Sequence, residues 1–222
     1  MIIAIDGPAG SGKTSTAKLL AKKIGFFYLD TGATYRSLTY AAIEGGLSLS
    51  DENSLLNLAK NLDIRINANE IYLKGIDISK KIRDPLIDKN ISTVVSFPQV
   101  RKVMVELQRK IASEGNFVVE GRDITTVVFP ESKYKFYLDA DPKIRAQRRF
   151  KELKEKGLDV DPEEVRTDLE KRDYADKNRT VGPLTISEDA VRIDTSTLTI
   201  EGTVELLARH IESKSTDHSS TK

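Results

Sequence analysis

Residues 1–17, MIIAIDGPAGSGKTSTA, constrain the fold of this chain more than any other stretch. Ile2, Ile3, Ala4 and Ile5 make the short apolar run that a buried parallel strand presents. Gly7, Pro8, Ala9, Gly10, Ser11, Gly12, Lys13 and Thr14 follow at once and satisfy G-x-x-x-x-G-K-[ST] in full. Beyond Ser15, the residues Ala17, Leu20, Ala21 and Ile24 fall at i, i+3, i+4 and i+7, the apolar stripe of an amphipathic helix. A glycine-rich turn with an incidental lysine would not need a buried strand before it and a helix after it. The glycines allow backbone N–H groups to converge on an anion, and the dipole of the following helix adds to that pull. In such a loop the lysine reaches the β- and γ-phosphates and the Thr14 hydroxyl ligates Mg²⁺. Residues 7–15 are therefore the expected binding segment for a nucleoside triphosphate.

Composition narrows the class. At 222 residues the chain can build one sizeable core with small insertions. A formal net charge of only +1 argues against a protein held on nucleic acid by bulk charge. No apolar run reaches the length of a membrane span. The absence of cysteine excludes disulfides, thiolate metal sites and a cysteine nucleophile, and it suits a reducing cytoplasm. His210 and His218 lie near the C-terminus, away from every motif, so histidine acid–base chemistry is not expected. No segment shows a second apolar face, which points to a monomer.

Taken in order, residues 26–29 read as a second buried strand, and Tyr35, Leu38 and Ala42 mark one face of the helix that follows. Ser48-Leu-Ser-Asp51 reads as a capping box before a helix carrying Leu55, Leu58, Ala59 and Leu62. From Asp63 the rhythm alternates through residues 64–66, 71–73 and 76–78, separated by Asn67-Ala-Asn69 and Lys74-Gly75. That pattern predicts a small antiparallel sheet inserted at about residues 62–82. Asp84-Pro85 is an N-cap with proline in the first helical position. A helix from about Pro98 carries Val100, Val103, Leu107 and Ile111, with Arg101 in its first turn. Residues 117–119, 134–138 and 191–193 are further core strands, and Val204, Leu207 and Ile211 belong to a closing helix. Residues 213–222 are polar and without periodicity, so they are expected to be disordered. Short apolar strands alternating with helices indicate a three-layer α/β fold around a parallel sheet.

Charged residues sit where ligands bind in such folds, beyond strand ends and at helix starts. Arg172, Asp176 and Arg179 are spaced by four and three, which places them on one helical stripe. Solvated i,i+4 pairs would produce the same spacing, but Arg36, Arg101, Arg122, Arg148 and Arg149 also occupy strand ends or helix starts. Arginine grips phosphate bidentately and stabilises the charge that spreads over a transferred phosphoryl group. Many arginines at one edge suit two phosphorylated species, and no N-K-x-D motif of a GTPase is present. Among carboxylates after strands, Glu120 and Asp123 can meet metal or substrate, Asp139 is a weaker metal candidate, and Asp141 reads as a helix cap.

Four segments together resemble the bacterial cytidylate kinase family: the loop at 7–14, LDTGATYR at 29–36, EGRDITTVVFP at 120–130 and KRDYADKNR at 171–179. The resemblance runs over about residues 1–211. It departs from the family pattern at Glu120 and Thr125, and Thr31 keeps a hydroxyl where serine is frequent. The resemblance implies a nucleoside-monophosphate kinase with a five-stranded parallel core, a nucleotide-binding insert over about residues 62–95 and a lid over about 148–170. It implies transfer of the γ-phosphate of ATP to CMP or dCMP with Mg²⁺. Thr31, Arg101 and Asp123 would read the cytosine edge, Arg36, Arg122 and Arg179 would hold the CMP phosphate, and Ser92, Arg172 and Asp176 the pentose. Lys13, Arg122, Arg148, Arg172 and Arg179 would stabilise the transfer, and Thr14 with Glu120 would meet the metal. A kinase for another acceptor, such as UMP, AMP or a small metabolite, is the nearer alternative. A non-catalytic nucleotide- or RNA-binding module is the further one, disfavoured by the near-zero charge and the lack of an aromatic stacking run.

Overall fold

The structure is a computed structural model and describes residues 1–67 and 70–217. Strand β1 (Ile2–Asp6), the phosphate loop and helix α1 (Lys13–Ile24) open the chain. Next come β2 (Phe27–Asp30), α2 (Thr31–Glu44), α3 (Glu52–Lys60), β3 (Ile64–Asn67), β4 (Glu70–Leu73), β5 (Ile76–Asp77), α4 (Pro85–Ser96) and α5 (Pro98–Ala112). The remaining elements are β6 (Phe117–Gly121), β7 (Tyr134–Asp139), α6 (Pro142–Glu155), α7 (Pro162–Asn178), β8 (Val191–Asp194) and α8 (Ile200–Asp217). The main sheet has five strands in the order β2-β6-β1-β7-β8, with β1 parallel to β6 and β7, and β7 parallel to β8. The expected parallel α/β core is present. Because β1 is the central strand, the loop beyond Asp6 opens at the sheet's C-terminal edge, where such folds receive ligands.

Two compact units divide the chain, residues 1–26 with 117–222, and residues 27–116. In the first unit Ile3, Ala4, Ile5, Val118, Val119, Phe136 and Leu138 are buried, with Leu20 of α1 and Leu207 of α8 also in the core. Cover on both faces explains why β1 and β6 open as unbroken apolar runs.

In the second unit, Leu38, Leu55, Val94, Val100 and Met104 from α2, α3, α4 and α5 make one buried cluster. β3, β4 and β5 form the small antiparallel sheet, with Ile64 opposite Leu73 and Tyr72 opposite Asp77. Its Ile71 packs with Ile78, Ile82 and Ala33 of α2. Residues 68 and 69, in the turn expected there, lie outside the described residues. Asp84 caps α4 by accepting from the Leu86 N–H at 2.8 Å, and Pro85 occupies the first turn.

Several local expectations need correction. β2 is an edge strand rather than a buried one: Leu29 is covered, but Phe27 is 61% exposed. The cap of α3 is Asp51 itself, accepting from the Asn53 and Ser54 N–H groups, whereas the Ser48 hydroxyl meets Ser50. α5 turns Arg101, Met104, Val105 and Gln108 fully inward, leaving Val103, Leu107 and Ile111 only partly buried. Arg179 lies one residue past α7 in extended backbone, so it does not share the helical stripe of Arg172 and Asp176. α8 continues to Asp217, into the stretch expected to be disordered, while residues 218–222, with His218, lie outside the described residues. Among the described residues no helix is long and apolar enough to cross a membrane.

Leu38 is fully buried between helices. Leu38→Ala should lower the unfolding free energy by about 2–5 kcal/mol, measured by urea denaturation against the wild-type chain.

Candidate active site

The phosphate loop is pressed against the elements behind it. A Cβ at Gly7, where φ is 150°, would lie 2.0 Å from the Leu138 carbonyl oxygen. One at Gly10, where φ is 75°, would lie 2.9 Å from the Arg145 carbonyl oxygen. Only glycine fits both the backbone angle and the space at these two positions. Lys13 opens α1 behind the left-handed Gly12. Its Nζ donates to the Pro8 carbonyl at 2.7 Å, and the residue is only 5% exposed. Thr14 and Ser15, in the same first turn, are exposed. Burial pushes the Lys13 ammonium down to about 7, Arg122 and Arg172 push the same way, and Glu120 and Asp176 oppose them.

Those residues form a charge cluster in the same unit. Glu120 is the penultimate residue of β6, which is buried along its whole length. Just beyond it, Arg122 Nε donates to Asp176 Oδ2 at 2.7 Å. Arg179 pairs with Asp123 at 3.2 Å and with Asp176 at 3.8 Å, and its Nε also donates to the Gly182 carbonyl. Burial alone would raise the Asp176 carboxyl, but Arg122, Arg172 and Arg179 hold it below the usual carboxylate range. Burial likewise opposes the charge on Arg122, and Asp176, Glu120 and Asp173 more than restore it. Interleaved arginines and carboxylates of this kind can accept a phosphate by exchanging ion-pair partners.

Within the unit of residues 27–116, Asp30 caps α2 through the Ala33 N–H and pairs with Arg36 at 2.5 Å. Thr31, at the helix start, is buried, and its carbonyl accepts from the Thr34 hydroxyl at 2.7 Å. Gln108 Nε2 donates to that same hydroxyl oxygen at 2.8 Å. Arg101 is 2% exposed, with its guanidinium 5.4 Å from the Tyr35 ring centroid, a cation–π distance. Ser92 is exposed on α4.

Asp6, which closes β1, was not singled out from the sequence. Both of its buried oxygens are engaged, by the Ile124 N–H at 2.8 Å, the Thr125 N–H at 2.7 Å and the Thr125 hydroxyl at 2.6 Å. Asp6 thereby fixes the turn after Asp123, and its place immediately before Gly7 is the one signal that could have marked it. The Arg148 guanidinium donates to Thr195 at both the hydroxyl and the carbonyl, at 3.0 and 2.6 Å. Asp139, the weaker metal candidate, accepts from the Ala140 N–H and from Arg192. Among the described residues no group of three His, Cys, Asp or Glu side chains could enclose a metal ion. The Thr14 hydroxyl and Glu120 remain. So few hard oxygen donors fit Mg²⁺, which keeps several waters and takes its other ligands from phosphates.

The family model described as cytidylate kinase matches residues 3–213. A protein named cytidylate kinase from Caldanaerobacter subterraneus subsp. tengcongensis is 48% identical over 203 residues, 91% of this chain and 91% of that protein. Another of that name, from Fusobacterium nucleatum subsp. nucleatum, is 42% identical over 212 residues, covering 96% of this chain and 97% of that protein. A solved structure of an uncharacterized protein from Eubacterium ventriosum ATCC 27560 matches with a TM-score of 0.51 at 16% identity. It covers 96% of this chain and 99% of that chain, a likeness of fold alone.

The pKa of Lys13 is depressed in the folded chain, so its contribution to stability is complete above the unfolded value of about 10.5 and is lost as pH falls through about 7. Lys13→Met should therefore raise the melting temperature at pH 7, and the gain should disappear towards pH 10.5. Thermal denaturation of both chains across that range checks it.

Proposed function

The chain belongs to the cytidylate kinase family, and on that premise we propose that it moves the γ-phosphoryl group of ATP to CMP or dCMP, giving ADP and CDP or dCDP. The observation that carries this reading is the buried phosphate-loop lysine set among Arg122, Arg172, Glu120 and Asp176. A triphosphate on the loop would add anionic charge beside the Lys13 ammonium to that of Glu120 and Asp176. Arginines paired with Asp176 and Asp123 supply cationic donors to a second phosphate.

Transfer is direct and in line, with no covalent enzyme intermediate. The acceptor is already an anionic phosphate oxygen, so no general base is required. The protein's part is to position the two phosphates and to balance charge on the equatorial oxygens. Mg²⁺, held through Thr14 and through Glu120 directly or by way of water, would neutralise charge on the donor's phosphates.

In the unit of residues 27–116, Thr31 and Arg101 are assigned to the cytosine edge, Arg36 to the CMP phosphate and Ser92 to the pentose. In the other unit, Asp123 is assigned to the cytosine edge, Arg122 and Arg179 to the phosphate, and Arg172 and Asp176 to the pentose. Residues 148–170 would serve as the lid over ATP. The base chemistry suits cytosine. Its N4 amino group donates to a carboxylate such as Asp123, and its N3 and O2 accept from arginine. Uracil would set a carbonyl against that carboxylate, leaving a buried acceptor unmatched.

A coupled assay with ATP against CMP, dCMP, UMP and AMP tests the reading. CMP should be used about 10²-fold more efficiently than UMP or AMP. Equal use of all four would sink it. Lys13→Ala should lower kcat by about 10²-fold or more. Asp123→Asn should narrow the preference for CMP over UMP, read as the ratio of the two kcat/KM values.

A further inference from the structure

Two carbonyl groups of the phosphate loop are held from behind by side chains that the loop motif does not contain. Arg145 of α6 is buried, and its Nη1 donates to the Ala9 carbonyl at 3.1 Å. The same Nη1 pairs with Asp173 of α7 at 2.6 Å, and Nε donates to the Ala140 carbonyl at 3.1 Å. Thr195, just past β8, is also buried. Its hydroxyl has the Ser11 carbonyl at 2.9 Å and the Asp139 carbonyl at 3.0 Å as acceptors. The Thr195 N–H donates to the Asp139 carbonyl at 2.8 Å, which ties this residue to the end of β7. Arg148 fixes Thr195 in turn, at hydroxyl and carbonyl.

A trans peptide is planar, and its C=O and N–H point in opposite directions. Holding the Ala9 oxygen therefore sets the direction of the Gly10 N–H, and holding the Ser11 oxygen sets that of the Gly12 N–H. Both planes lead into glycines at positive φ, the residues with the widest backbone freedom, so nothing in the loop's own side chains keeps them from rotating. An anion cradle works only if its N–H groups point inward before the ligand arrives. We propose that Arg145 and Thr195 are positioning residues for the phosphate donor. They hold the Ala9–Gly10 and Ser11–Gly12 peptide planes with the Gly10 and Gly12 N–H groups towards the triphosphate. Asp173 steadies Arg145 and Arg148 steadies Thr195, which gives the α6 arginines a role in shaping the cradle from behind. The inference rests on residues 7–14 being the ATP site, as read above.

Thr195→Val keeps the side-chain volume and removes the hydroxyl, and Thr195→Ser puts the hydroxyl back. Arg145→Met would leave the partly buried Asp173 without its cation, which can destabilise the chain, so the Thr195 pair decides the question. Calorimetric titration with a non-hydrolysable ATP analogue and, separately, with CMP gives the readout. Thr195→Val should weaken analogue binding about tenfold, the scale of one hydrogen bond, with CMP affinity within about twofold of wild type. Thr195→Ser should restore the analogue affinity. Unchanged analogue binding in Thr195→Val, an equal loss for analogue and CMP, or no rescue by serine would each overturn the proposal while leaving the donor-site reading intact. A wild-type chain that binds no analogue would overturn the donor-site reading, and the proposal with it.

Discussion

Lys13 carries an ammonium into a place that water barely reaches, and burial pushes its pKa down to about 7. Most of the surrounding charge answers that constraint. The Pro8 carbonyl gives it a partner at 2.7 Å, and Glu120 and Asp176 hold its proton on. Arg122 and Arg172 work against it. The carboxylates are therefore not incidental neighbours. Asp176 between Arg122 and Arg179, and Asp123 beside Arg179, keep a cationic cluster together in the folded chain. A phosphate entering that cluster, as the proposed function has it, would replace part of this internal compensation.

The fold places this cluster through a few backbone decisions. β1 lies in the middle of the parallel sheet, so its C-terminal end opens among neighbouring strand ends rather than at a flank. Asp6 then ties that end to the turn at Ile124 and Thr125, while Gly7 lets the chain pass closer to the Leu138 carbonyl than any side chain would allow. Burial raises the Asp6 carboxyl, and the three hydrogen bonds it accepts pull the other way. The same strand end thus serves both the phosphate loop and the segment that carries Arg122 and Asp123.

Legibility varied with how local the cause was. The strand, loop and helix at the start, the Asp84-Pro85 cap and the small antiparallel sheet all follow from neighbours in sequence, and they stand where expected. Where tertiary packing decides, the pattern misled. Phe27 reads as core but lies on an edge strand, and the stripe read through Val103, Leu107 and Ile111 is only partly buried while Met104 and Val105 of α5 turn fully inward. Arg179 has helical spacing from Asp176, yet the helix stops at Asn178 and extended backbone brings it to Asp123 as well as Asp176. Spacing specifies a stripe only as long as the helix lasts.

By itself the sequence determined the donor side of this protein, because a strand, a glycine-rich loop and a helix in immediate succession can hardly do anything but present N–H groups and a lysine to phosphate. It also determined the parallel α/β class, through the alternation of apolar strands with amphipathic helices. Only the tertiary structure decided which arginines face charge and which serve as braces. Arg148 has the same residue type and the same helix as Arg145, and neither reads differently in sequence. Yet Arg148 lies on Thr195 and Arg145 on Ala9 and Asp173, since a guanidinium five atoms from the backbone goes where buried acceptors are left unmatched. Those acceptors come from strands and helices far apart in the chain, so no reading along it could have located them.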